Sequence, residues 1–258
     1  MSRFLLAVWT LWQREIVRFY RQPSRVVGAL APPALFWLLI GSGLGASFRA
    51  PGGGATSYLA WFFPGVVILI LLFTAIFSEI SIIEDRREGF LQGVLVSPAP
   101  RASVILGKVL GGTTLALLQS GLFLLLAPAA GLALPSAGAL GELLLVLFLL
   151  AFALTALAAA IAWRLDSTQG FHAIMNLFLI PMWLLAGTLF PLAGTPGWLS
   201  VLMRINPLTY GVAALRRSLA SAVEPDLPAL GVSLGITVAC AMLAFAAAAW
   251  VATRRPSR

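Results

Sequence analysis

Three features of this 258-residue sequence predict an all-α membrane protein of six transmembrane helices. Hydrophobic residues make up 60% of the chain and charged residues only 10%. Six stretches are each apolar and long enough to cross a bilayer, and the cations gather at one set of their ends. A soluble domain carries about 25% charged residues, because its surface must stay in water. A chain with under half that share has lipid as its solvent, and no long stretch here is polar enough to form a soluble domain.

A spanning helix needs about 20 mostly apolar residues, since the hydrocarbon core is about 30 Å thick and each residue rises 1.5 Å. The stretches that qualify are Val26–Ala46, Leu59–Ile83, Val104–Ala127, Leu140–Trp163, Phe171–Phe190 and Pro228–Ala252. Pro32 and Pro33 predict a kink or a late start in the first, and Pro181 lies in the fifth. With an inside N-terminus, thirteen cations fall inside: Arg3, Arg14, Arg18, Arg21, Arg25, Arg86, Arg87, Arg101, Lys108, Arg164, Arg254, Arg255 and Arg258. Four fall outside, namely Arg49, Arg204, Arg216 and Arg217. This is the positive-inside bias, and with six spans it puts both termini in the cytoplasm. The net charge of +8 is therefore an orientation signal, not a nucleic-acid one. The N-terminal apolar stretch is broken by Arg14, Glu15 and Arg18, so a secretory signal is not expected. Cys240, the single cysteine, can form no internal disulfide.

Three segments outside the spans have patterns of their own. In residues 1–25, Leu5, Val8 or Trp9, Trp12, Ile16 and Phe19 recur at helical spacing, with Arg3, Arg14, Arg18 and Arg21 on the other side. This predicts an amphipathic interfacial helix on the cytoplasmic leaflet, either as an anchor or as a platform for a partner. Between the second and third spans, EDRREGFLQGVLVSPAPR predicts a short helix after Gly89, ended by Pro98. Phe90, Leu91, Val94 and Leu95 form its apolar face, and an exposed face of that kind meets a membrane or a protein. Before the last span, the outer segment predicts two short helices broken at Asn206-Pro207, with Leu208, Val212, Leu215 and Leu219 on one face of the second.

Several kinds of chemistry are missing. Leu106-Gly107-Lys108-Val109 is the nearest approach to a nucleotide-binding loop, but it lacks the upstream glycine and the magnesium-binding Ser or Thr. One histidine and one cysteine far apart make no metal site, and no G-x-S-x-G is present. The spans hold few polar groups. Glu79 could pair with Arg86 or Lys108, Glu142 lies at an outer end, and Gln119, Asn176 and His172 complete the set. An ion-coupled carrier keeps ionisable groups near mid-membrane, and the span midpoints here are nearly free of them, which argues against it; such a carrier, or a membrane scaffold without an ATPase partner, is the alternative reading. Gly41-x-x-x-Gly45, Gly107-x-x-x-Gly111 and Gly231-x-x-x-Gly235 permit close helix packing, within the chain or against a second copy.

The order of these parts resembles the permeases of the ABC type-2 exporter family, which includes daunorubicin-resistance and lipo-oligosaccharide exporters, over nearly the whole chain. EDRREGFLQGVLVSPAPR followed by Gly107-Lys108 is similar to the family's acidic-Arg-Glu-Gly … Leu … Pro-x-x-Arg … Lys loop. Asn206-Pro-Leu-Thr-Tyr-Gly-Val-Ala-Ala-Leu-Arg216 is similar to its Asn-Pro-Leu … Leu-Arg stretch, with Ala213 or Ala214 where the family often carries an Asp. The resemblance implies a six-span transmembrane domain over 26–258 in the bacterial inner (plasma) membrane. It implies two permease subunits, as a homodimer or a paralogous heterodimer, and two ABC ATP-binding subunits that hold ATP and Mg; this chain would hold no cofactor and hydrolyse nothing. Glu84–Pro98 would be the coupling helix, with Phe90, Leu91, Val94 and Leu95 as apolar contacts, Glu84, Arg86, Arg87 and Glu88 as a polar rim, and Gly89 and Pro98 as its limits. Trp12, Arg14 and Arg18 of the N-terminal helix would brace the same ATPase. Asn206, Pro207, Tyr210 and Arg216 would belong to an outer re-entrant segment. The cargo would be amphipathic: drug-like, lipid-like or glycolipid.

Overall fold

The computed structural model describes residues 2–45, 57–133, 135–192, 194–219 and 228–254. The expectations for Arg49, Arg255 and Arg258, and for the end of the outer segment, fall outside them. The described residues form ten α-helices and no strand: α1 (Arg3–Tyr20), α2 (Pro23–Gly43), α3 (Tyr58–Arg87), α4 (Phe90–Val96), α5 (Arg101–Leu124), α6 (Ala137–Ala162), α7 (Thr168–Trp183), α8 (Gly197–Ile205), α9 (Pro207–Ser218) and α10 (Leu230–Thr253). A π-helical turn, Leu184–Thr188, continues α7. Helices α2, α3, α5, α6, α7 with its π turn, and α10 are the six long and apolar enough to cross a membrane. They match the six predicted stretches to within a few residues.

Helix α3 is the centre of the bundle. Its 30 residues reach about 45 Å at 1.5 Å per residue. From Tyr58 to Ile83 nearly every side chain is buried, which explains why its sequence is apolar all round rather than on one face. Helices α2, α5, α6 and α7 pack against it, and α10 closes on α6 and α9. Helix α2 is continuous from Pro23 to Gly43 with Pro32 and Pro33 inside it, so it does not start late as the prolines allowed.

The ends of the bundle differ in character. One end collects the C-termini of α3, α6 and α10, and its cations cap exposed helix carbonyls. Arg101 donates to Ala252 O at 3.1 Å and Thr253 O at 3.0 Å, the last turn of α10. Arg86 donates to Trp163 O and to Leu165 O at 3.1 Å, just beyond α6. Arg87 donates to Asp166 O at 2.6 Å. The skewed distribution of cations thus has a local cause in helix capping. The opposite end carries α8 and α9.

Candidate functional site

The charged end is built around α4. Helix α3 stops because Gly89 adopts φ +78°, a left-handed conformation that costs glycine nothing and other residues strain. The chain restarts as α4 at Phe90, and Pro98 and Pro100 stop it from running on into α5. The structure corrects the expectation of a wholly exposed apolar face. Leu91 is 2% exposed and joins the core, and Val94 and Leu95 pack partly against it. Phe90 lies under the Arg14 guanidinium, 3.7 Å from its ring centroid. The most exposed apolar side chain on α4 is Val96, at 84%, which the sequence reading omitted.

Behind α4 lies a cluster of ion pairs drawn from four helices. Asp85 of α3 accepts two hydrogen bonds from Arg14, at 2.9 and 2.7 Å, and one from Arg18. Glu84 accepts from Arg18 at 2.8 Å and from Arg25 of α2. Lys108 of α5 donates to Asp85 at 2.6 Å, to Glu15 at 2.8 Å and to Ser81 at 3.2 Å. An ammonium has three donors, and all three are used. Burial disfavours the charge on Arg14, but the bonds and field of Asp85 outweigh it and raise its pKa above the ordinary value. Arg14 and Arg18 therefore face inward to Asp85 and Glu84, and Arg86 and Arg87 are engaged by the turn after α6. Of the expected polar rim, Arg87 and Glu88 are the exposed members; the Glu88 side chain is 61% exposed and lies 3.6 Å from Arg18.

Helix α1 is held against α5 by the Gly107-x-x-x-Gly111 pair. A Cβ at Gly107 would lie 2.9 Å from both Val8 O and Leu11 Cβ, and one at Gly111 would lie 2.7 Å from Glu15 Cβ. Trp12 Nε1 donates to Thr114 at 3.0 Å. The buried stripe of α1 is Leu11, Glu15 and Phe19, and this corrects the expected apolar face. Leu5, Leu6, Trp9, Val17 and Tyr20 are exposed on another sector. Glu15 can be buried because Lys108 meets it. Between α1 and α4 lies an apolar groove of about 370 Å³ lined by Leu6, Ala7, Thr10, Phe90, Val94 and Pro98.

Glu79 is fully buried, but it pairs with neither Arg86 nor Lys108. Its nearest polar partner is Ser78 Oγ at 3.5 Å, and its Oε2 has no hydrogen-bond partner among the described residues. At the opposite end, Asn206 caps α9 by accepting from Leu208 N at 3.0 Å and donates to Met182 O at 2.6 Å, with Pro207 in the first turn. Tyr210 donates to Arg204 O at 2.9 Å. Arg216, 1% exposed, lies 4.2 Å over the Trp61 ring and donates to Gly187 O at 2.7 Å. Helix α9 is thus enclosed by the bundle, while α8 shows Trp198, Val201 and Ile205 on the surface.

The profile of the ABC-2 type transporter family matches residues 6–220, which takes in α1, the α4 turn and the Asn206–Arg216 helix. The chain belongs to that family. This ABC-2 chain is 27% identical over 218 residues to ycf38 of Cyanophora paradoxa, a protein whose name describes a transport permease, with 83% of this chain and 74% of that one covered. It is 26% identical over 233 residues to nodulation protein J of Sinorhizobium fredii, covering 89% and 86%. It is 27% identical over 252 residues to DrrC of Mycobacterium tuberculosis, named as a doxorubicin resistance ABC transporter permease, covering 92% and 87%. With its six candidate spans, the chain is a multi-pass membrane permease of the ABC-2 type.

Proposed function

We propose that this permease is the transmembrane subunit of an ATP-binding-cassette exporter that draws its energy from separate ATPase subunits. The charged end would be cytoplasmic, in a bacterial inner membrane, and both termini would lie on that side. Two permease subunits and two ATPase subunits would make the working unit, with ATP and Mg held by the ATPases.

The observation that carries the reading is the family match together with α4. A short helix projects Val96 and the edge of Phe90 from the charged end, while Leu91 roots it in the core and Arg14 clasps Phe90 from α1. A force applied to α4 would reach α3 through Gly89 and α1 through Arg14, and from there the Asp85–Lys108 pair leads into α5. Such linked, rigid elements suit a two-state transition of one permease subunit against the other. The apolar spans favour amphipathic, drug-like, lipid-like or glycolipid cargo.

The test is reconstitution in liposomes with the cassette ATPase that accompanies the permease in its native membranes. Stimulated ATP hydrolysis and outward movement of an amphipathic fluorescent dye, both lost in Val96→Asp, are expected. Dye movement that ignores ATP but follows a proton or sodium gradient would overturn the reading in favour of an ion-coupled carrier.

A further inference from the structure

Helix α9 is too short to run the depth of the bundle, and it leaves a gap beyond its own first turn. It packs against α6 and α10. Ser218, at its C-terminus, donates to Glu142 in the second turn of α6 at 2.7 Å. Further along, Gly211 meets Leu150 so closely that a Cβ there would lie 2.3 Å from Leu150 Cδ2. Helix α9 begins at Pro207, so it has no residues to cover the rest of α6. On the side toward α4, Pro207 and Leu208 give way to an apolar groove of about 340 Å³ between α6, α7 and α10.

The groove lies at hydrocarbon depth. Its α6 wall runs from Leu150 to Leu157 and its α10 wall from Thr237 to Ala247. At 1.5 Å per residue these stretches stand about 20 to 30 Å along α6 and about 10 to 26 Å along α10, clear of the ends of helices of 26 and 24 residues. The α10 wall is thus about 15 Å long, the depth of one leaflet in a hydrocarbon core about 30 Å thick. Pro207, Leu243 and Ala247 are exposed at its rim, so the groove opens on the surface of the bundle.

The lining selects the occupant. Thr237 donates its hydroxyl to Ser233 O at 2.8 Å, and the Asn206 amide beside the groove is engaged by Leu208 N and Met182 O. That leaves the Cys240 thiol, a weak donor. A buried water needs about two to four polar partners and finds too few here. A polar headgroup would give up its hydration without compensation. An empty groove would forfeit the dispersion contacts of its walls, and an apolar cavity of about 150 Å³ already takes up benzene.

We propose that this groove holds one acyl chain of a membrane phospholipid as a resident ligand, seated against α6 and α10 where α9 stops. The volume spread over about 15 Å gives a mean section of about 23 Å². A helix about 10 Å across needs about 80 Å², so a protein segment does not fit, whereas a single alkyl chain does. The inference needs only the membrane fold; a failed ATPase or transport assay would leave it standing.

The test places wild-type permease in phosphatidylglycerol vesicles containing a phosphatidylcholine with a diazirine midway along one acyl chain. After irradiation, mass spectrometry locates the adducts. Leu122 of α5, 56% exposed on another span, is the reference for open lipid contact. About tenfold more adduct is expected on Leu157 than on Leu122, one decade of affinity for the groove over the open surface. Ala247→Phe, which puts a ring at the rim, should remove the excess at Leu157 and leave Leu122 unchanged. Equal labelling of the two leucines in wild type would overturn the proposal, whatever the variant does. An excess that survives Ala247→Phe would also overturn it. So would a Cys240–Cys240 disulfide on copper phenanthroline oxidation of the wild type, because it would bring the Cα atoms of two copies within about 7 Å and seat a second chain over the groove.

Discussion

The Nζ of Lys108 lies 2.6 Å from Asp85 Oδ2, and both side chains are 0% exposed. The same ammonium reaches Glu15 at 2.8 Å. One cation thereby fastens α1, α3 and α5 together behind α4. Removing one member of a buried ion pair strands its partner, at a cost of about 3–5 kcal/mol. Lys108→Met should therefore lower the thermal stability of the detergent-solubilised protein sharply and expose α1 to protease. Restoring charge balance with Lys108→Met/Asp85→Asn should recover part of the loss.

Exposure divides α4 into two kinds of position. Leu91→Asp should cost folding, because it places a charge in the core. Val96→Asp should insert normally and melt like wild type, yet abolish ATPase stimulation. Limited proteolysis beside a hydrolysis assay separates the two effects. Equal loss of fold in both variants would contradict the division.

Gly107 and Gly111 admit α1 with no room for a side chain. Gly107→Val would press on the backbone carbonyl of Val8. We expect α1 to detach, with the Arg14–Phe90 contact broken and coupling reduced at least about tenfold, as overpacking forces backbone shifts. Trp emission from Trp9 and Trp12 should change with it. Gly231→Val, at an open position, should leave both readouts unchanged.

Glu79 gives a prediction of the opposite sign. Its Oε2 is buried without a hydrogen-bond partner among the described residues, and a charge so placed is costly. Glu79→Gln should leave the melting temperature equal or raised, measured by differential scanning fluorimetry. A drop as large as that of Lys108→Met would show that the carboxylate is a full member of the ion cluster.

The sequence displayed the spans because hydrocarbon imposes one rule on every residue facing it, and runs such as the one from Leu143 to Ala162 follow that rule without help from tertiary structure. The break at Gly89 and the one at Asn206-Pro207 were equally legible, since local backbone chemistry sets them. What escaped was partnership. Arg14 and Arg18 read as outward cations because periodicity places them opposite the apolar stripe, and nothing local says that Asp85, about seventy residues away, meets them. Glu15 looked like an interruption of an apolar face until Lys108 gave it a reason to be buried. Leu91 and Val96 sit on one short helix with like chemistry, and packing alone sorts one into the core and the other into solvent.

The most direct test of the account is affinity purification of the tagged permease from its native membranes in mild detergent, run in parallel for wild type, Val96→Asp and Trp198→Ala. The account predicts a soluble P-loop ATPase in stoichiometric amount with wild type and with Trp198→Ala, whose change lies at the opposite end, and its loss with Val96→Asp. A permease that purifies without any ATPase, or one that keeps its ATPase equally in all three, would contradict the assignment of α4 as the docking element.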